Sequence, residues 1–200
     1  MSGNQKPEIA ERFGKDHQER IYNNSSVFCL SRKGNFIPMF SYYADSHQGI
    51  AIQFNFEATE IPCGYSQEKI LSPDRPYGQI CIVYDDVDYA DCFPELNYHR
   101  LQGSTQIIKN LLFTKHKDWC HEEEFRICRH NVPTGKVHFD RKFITAVVFG
   151  CKTTMVDMDL VKSWLQGWPT DVIFAKAAQA TDKFELKIDE VEVFKAKMNI

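Results

Sequence analysis

The residues with the most chemical potential run Trp119-Cys120-His121-Glu122-Glu123-Glu124-Phe125-Arg126-Ile127. Read as the opening of a strand, the segment alternates its side chains between two faces. Glu122, Glu124 and Arg126 then share one face, and Glu123, Phe125 and Ile127 the other. Two carboxylates and a guanidinium on one face are costly to bury unless they pair. The pairing is either a structural Glu–Arg ladder at a strand edge or a device that holds one carboxylate at a tuned pKa for chemistry. Ser31, Arg32, Tyr42, Tyr43 and His47 are the other residues that could take part. Each has a plainer role open to it. Ser31 could bond a strand end, the tyrosines could pack helix to sheet, His47 could cap a helix, Trp119 could fill the core, and Arg126 could serve only as an ion-pair partner.

The positioning elements follow from periodicity. Pro7 to about Asn23 reads as an amphipathic helix with Ile9, Phe13 and Ile21 on its apolar side. A short buried strand is expected over Val27–Ser31, then a turn at Arg32–Asn35. An aromatic helix over Pro38–His47 places Phe40, Tyr43 and His47 roughly on one side, ended by Gly49 in a left-handed conformation. Ile50–Phe56 alternates as a half-buried strand. Ala58–Pro76, with its prolines, reads as loop with a short strand, Gln79–Tyr84 as strand and the acidic Asp85–Pro94 as exposed loop. A helix from Leu96 to about Lys117 carries Leu101, Ile107, Ile108, Leu111 and Leu112 as its stripe. Lys136–Phe139 and Ile144–Phe149 read as strands. Val156–Gln166 reads as a helix capped somewhere among Thr153 to Asp157, and Val172–Lys176, Phe184–Ile188 and Val191–Lys195 as closing strands. The expected organisation is an N-terminal helix and loop over 1–26, then a single α+β domain over 27–200. Its core is a mixed, split β-sheet flanked by helices.

Composition narrows the function classes. With 24 Lys and Arg against 27 Asp and Glu, the net charge of −3 lacks the basic field of a generic nucleic-acid binder. No apolar run approaches the roughly 20 residues of a membrane span, and Met1 to Ile21 has no signal-peptide core. A cytoplasmic chain with no membrane partner is expected. The seven cysteines are scattered without a C-x-x-C pair, which points to reduced, buried, hydrophobe-like thiols. His116, Cys120, Cys128 and His130 match no standard zinc spacing, so no metal is expected. P-loop, H-E-x-x-H and G-x-S-x-G motifs are absent from the sequence.

The order of several motifs is familiar. Phe28-Cys29-Leu30-Ser31 precedes Phe40-Ser41-Tyr42-Tyr43-Ala44-Asp45-Ser46-His47-Gln48-Gly49-Ile50-Ala51-Ile52-Gln53-Phe54. Val83-Tyr84, Lys117-Asp118-Trp119 with Glu122-x-Glu124-Phe125-Arg126, and Val147-Val148-Phe149-Gly150 follow. This set resembles a prokaryotic and phage family described only as a domain of unknown function, DUF2971, from about Val27 onward. Phe40 stands where that family usually has Trp, and Tyr42 where it often has His. The family's usual opening strand and Asn-Asp-Pro-Phe-like segment have no counterpart here.

A more distant resemblance is to the ADP-ribosyltransferase fold, whose split sheet carries three site positions on three strands. That resemblance implies an enzyme that cleaves NAD and transfers ADP-ribose to a macromolecular acceptor, protein or nucleic acid, in conflict between phage and bacteria. It places Ser31 or Tyr43 at the second position, Glu124 as the carboxylate that stabilises the oxocarbenium-like centre, and Glu122 as the residue that orients the acceptor. An aromatic wall of Tyr42 or Tyr43 would stack on nicotinamide, with His47 nearby on the cofactor side, and Arg126 or Arg32 would meet the pyrophosphate. The first position would come from His17 or Arg20, or from a protein partner that supplies the missing N-terminal elements. The alternative is a non-catalytic binding or regulatory module of the same fold that acts through a protein partner.

Overall fold

The computed structural model describes residues 5–55, 81–96, 104–131, 141–168 and 171–194. In chain order its elements are α1 (Gln5–Asn23), β1 (Ser25–Ser31), α2 (Ile37–Tyr43), β2 (Ile50–Phe54), β3 (Cys81–Asp86), β4 (Asp88–Ala90) and α3 (Ser104–Leu112). There follow β5 (Thr114–His116), a 3-10 turn over Lys117–Glu122, β6 (Glu124–His130), a second 3-10 turn over Arg141–Phe143, β7 (Ile144–Phe149), α4 (Met155–Trp164), β8 (Val172–Gln179) and β9 (Leu186–Phe194). Helices and mixed sheets make this the α+β architecture expected. The elements gather into two compact units, one from Met1–Arg32 and Ala58–Lys136, the other from Lys33–Glu57 and Val137–Ile200.

In the first unit, β6 lies between β1 and β3 in an antiparallel sheet. Val83 and Cys128, opposite each other across β3 and β6, are buried with Ile21 of α1 and Ile107, Ile108, Leu111 and Leu112 of α3. The apolar spacing of α3 therefore did predict its buried face. Burial of each large aliphatic or aromatic side chain here contributes about 1.5–3 kcal/mol. A second small sheet joins β4 and β5 in parallel, so that Tyr89 pairs with Lys115.

The second unit holds the sheet β2-β7-β8-β9, antiparallel at both outer pairs and parallel between β7 and β8. Both of its faces are covered. Met158, Val161 and Leu165 of the α4 segment pack with Val147, Phe149, Val172 and Phe174 on one side. Phe40 and Ala44 pack with Ala177 and Leu186 on the other. Ile50 and Phe54 join the first cluster and Ala51 the second, so β2 contributes to both faces, while Ile52, expected in the core, is exposed.

Several expectations are corrected by local forces. The long helix ends at Leu112, because Asp88 N–H bonds the Phe113 carbonyl and Thr114–His116 turn into a strand beside β4. Trp119–Glu122 is a 3-10 turn rather than strand, capped at its end by Glu123 in the left-handed region (φ 43°). Part of the acidic Asp85–Pro94 stretch is strand in β3 and β4. Val27, Phe28 and Cys29 of β1 are exposed, not buried.

Helix α2 stops at Tyr43. The left-handed residues after it are Asp45, Ser46 and His47 rather than Gly49. Gly49 and Gly150 serve close approach instead: a Cβ at Gly150 would stand 2.1 Å from the His47 carbonyl oxygen. The two closing strands are one continuous β9. Thr154 caps α4, accepting from Asp157 N–H, within the range expected. The expected strands over Lys136–Phe139 and in Ala58–Pro76, Leu101, and the side chains of Ile9 and Phe13 lie outside the described residues.

Candidate functional site

The candidate site is the end of β6 in the first unit, where four charged side chains converge. Glu122 closes the 3-10 turn, Glu124 opens β6, Arg126 is two residues on along the same face, and Lys115 comes from β5. Arg126 grips Glu124 with both arms, Nε to Oε1 at 2.8 Å and Nη2 to Oε2 at 2.9 Å. Its remaining Nη1 donates to the Leu112 carbonyl at the end of α3. Lys115 Nζ donates to Glu122 Oε2 and stands 3.3 Å from Glu124 Oε2. The carboxylates are almost fully buried, at 3% and 7% exposure. Charges taken this far out of water need pairing, and here two cations match two anions.

Backbone geometry brings the pair together. The left-handed Glu123 reverses the chain between turn and strand. Its neighbours are tied down from three sides. Ser31 Oγ donates to the Glu122 carbonyl at 2.7 Å. Arg32 N–H donates to the Glu123 carbonyl at 2.9 Å, and Glu124 N–H to the Tyr89 hydroxyl at 2.9 Å. Ser31 is the direct cross-strand partner of Glu124.

Electrostatics follow from these contacts. Burial alone would raise the Glu124 carboxyl, but hydrogen bonds from Arg126 and Cys29 and the charges of Arg126 and Lys115 hold it below the ordinary glutamate range. For Lys115, burial pulls downward, and its bonds to Glu122 and Glu124 outweigh this and raise it. Burial, together with its hydrogen bond to Glu124, pushes the Cys29 thiol up to about 11. Tyr89 is raised mainly by burial.

Of the residues singled out in the sequence, Ser31, Glu122, Glu124 and Arg126 come together in this unit, while Arg32 reaches the turn only through its backbone N–H on the Glu123 carbonyl. Arg32 is more than half exposed, pairs with Asp86 at 2.8 Å and lies 4.4 Å over the Phe125 ring. Tyr42, Tyr43 and His47 belong to the second unit. Both tyrosines there are exposed. His47 Nε2 is 2.8 Å from Ser41 Oγ and its ring stacks on Phe40; its Nδ1 is buried without a hydrogen-bond partner.

Four participants were not legible in sequence. Lys115 and Tyr89 sit on short strands hidden inside a predicted helix and a predicted loop. Cys29 read as core but donates to Glu124. Trp119 also read as core, yet it is 41% exposed, with Lys115 Nζ 4.8 Å from its ring centre. Only the Glu-x-Glu-x-Arg spacing could have hinted that a further cation was needed. Among the described residues no three His, Cys, Asp or Glu side chains converge as a metal site. None of the helices described is long and apolar enough to cross a membrane.

Residues 39–127 match the family described as "Protein of unknown function (DUF2971)". No curated protein and no solved structure matches the chain. Both the Phe40–Phe54 motif and the Trp119 to Arg126 segment fall inside the matched residues, over which the chain is similar to the DUF2971 family.

Proposed function

We propose that the chain is a cytoplasmic, ADP-ribosyltransferase-like enzyme that cleaves NAD and transfers ADP-ribose to a protein or nucleic-acid acceptor, acting in conflict between phage and bacteria. The observation that carries this is the juxtaposition of Ser31, Glu122 and Glu124 at one strand end. These are the residue types such a reaction needs. The bond between nicotinamide N1 and ribose C1′ breaks, and nicotinamide leaves with the electron pair. The acceptor nucleophile bonds C1′ and releases its proton. A carboxylate held ionised beside the ribose stabilises the positive charge that develops on the sugar. Glu124 is the residue held that way, and Glu122 is next to it for the acceptor. Arg32, more exposed than Arg126, suits a pyrophosphate. Trp119 offers the first unit an exposed ring for stacking, as Tyr42 and Tyr43 do in the second.

One observation favours the second reading, a non-catalytic module that acts on a protein partner. Both Glu124 oxygens already accept from Arg126, and Oε2 also faces Lys115, which suits a structural lock better than a group that must receive a ribose hydroxyl. Incubation with NAD decides between the two. The enzyme releases nicotinamide; the module releases none while remaining folded by circular dichroism.

A further inference from the structure

The sheet β1-β6-β3 carries core residues on one face and aromatic residues on the other. Val83 and Cys128 lie on the core face with Ile21 and α3. Alternation along regular antiparallel strands sends the residues next to them the opposite way. Phe28 of β1, Ile127 of β6 and Tyr84 of β3 therefore form one cross-strand row on the second face. Phe125 lies beside that row, its ring 6.2 Å from the Tyr84 ring. Phe28 is 46% exposed, and Tyr84, Phe125 and Ile127 are half-buried. One face thus presents an aromatic ring from each of three adjacent strands.

An arginine stands at each end of this face. The Arg32 guanidinium lies 4.4 Å over the Phe125 ring, and its Nε donates to Asp86 at 2.8 Å. Ring and carboxylate together fix the plane of the group, and neither Nη has a partner among the described residues. The edge that can grip a phosphate with two parallel hydrogen bonds is therefore held ready. Arg129, opposite Ser26 in the ladder, is half-buried and has no carboxylate partner among the described residues. Ser26 is six residues before Arg32, roughly 20 Å of extended chain.

We propose that this face binds single-stranded nucleic acid, with bases stacked on Phe28, Tyr84 and Phe125 and backbone phosphates on Arg32 and Arg129. Only unpaired bases offer their flat faces to such rings, and stacking accepts any base. Guanidinium groups without carboxylate neutralisation of their outer edges complement an anion, which an apolar partner surface does not supply. Their separation exceeds the reach of one nucleotide, so a strand fits better than a mononucleotide. Two phosphate contacts do not need the basic field that a net charge of −3 lacks. They give a shallow salt dependence, with log affinity falling against log salt with a slope of about −1.4. Arg32 is common to this face and to the pyrophosphate contact proposed above. The strand is therefore tested without NAD, and the proposal does not depend on the NAD reaction.

Fluorescence anisotropy of short fluorescein-labelled single strands, RNA and DNA, with the whole 200-residue chain should show saturable binding. A duplex of the same sequence should bind at least tenfold more weakly. Phe28→Ala and Phe28→Leu should each weaken single-strand binding about tenfold with unchanged circular dichroism, the leucine keeping apolar bulk without a ring. Arg32→Gln should bring the salt slope to about −0.7, a change that general damage to the fold would not produce. Four results overturn the proposal: no saturable binding of either strand, a duplex bound as tightly, wild-type binding by Phe28→Leu, or an unchanged slope in Arg32→Gln. So does a self-associated chain that Phe28→Ala converts to monomer, which would give the face to a second copy.

Discussion

Ser31 lies directly across from Glu124 in the β1–β6 pair, yet its hydroxyl donates to the carbonyl of Glu122, 2.7 Å away. One small side chain thus fixes the turn that sets the spacing between the two carboxylates. Ser31→Ala should cost about 1 kcal/mol by chemical denaturation, as expected for a partly buried hydrogen bond. On the proposed reaction it should also lower NAD turnover per folded molecule at least tenfold. A variant that loses stability and keeps turnover would assign Ser31 a structural role alone.

Lys115 neutralises two buried carboxylates at once. Lys115→Met leaves an unbalanced negative charge in the cluster and should destabilise the fold by about 3–5 kcal/mol. Adding Glu122→Gln removes the surplus charge and should restore part of that loss. The pair should therefore be non-additive in thermal or urea unfolding. Additive losses would show that Lys115 and Glu122 do not act as one unit.

Stability should vary with pH in separate steps. Glu124 is held low by Arg126, Cys29 and Lys115 against its burial, and Asp85 is held low chiefly by the Lys109 hydrogen bond. A depressed carboxyl contributes stability above its unfolded pKa and loses it as pH falls through the folded value. A first acidic step comes earlier. His130 is pushed below the ordinary 6.5, mainly by burial and then by the charge of His17. Its contribution is full above 6.5 and declines as pH falls toward its folded value. On the alkaline side, the raised Lys115 contributes below 10.5 and is lost as pH rises through its folded value. Urea midpoints measured across pH should show both acidic steps, and His130→Gln should flatten the first while leaving the second.

Cys29 is in the exposed middle of β1, but partial burial of its thiol, and then its hydrogen bond to Glu124, push it from 9.0 to about 11. Such a shift cuts the thiolate fraction near neutral pH about 100-fold. Alkylation followed by peptide mass mapping should find Cys29 slower than the exposed Cys92 and Cys120. Glu124→Gln should speed it, and equal rates in both proteins would remove the Cys29–Glu124 bond from the account.

The elements with unbroken periodicity were readable from the sequence. Ile144–Phe149, the buried face of α3 and the Thr154 cap follow from side chains within a few residues of one another. What was not readable depends on distant partners. The helix over Leu96–Lys117 ends early because β4 recruits Thr114–His116, a pairing that local propensity cannot reveal. The charged trio was visible through its spacing. Lys115, which holds the two glutamates together, was concealed by the same helix, and Trp119 read as core because a strand rather than an exposed turn was expected there.

The most direct measurement of the central claim is nicotinamide release from NAD, with and without cell lysate, by the wild-type chain and by Glu124→Gln. Release by the wild type, lost in a variant still folded by circular dichroism, is the predicted result. A folded wild-type chain that releases none under either condition contradicts the enzyme and leaves the Lys115–Glu122–Glu124–Arg126 cluster as a structural lock.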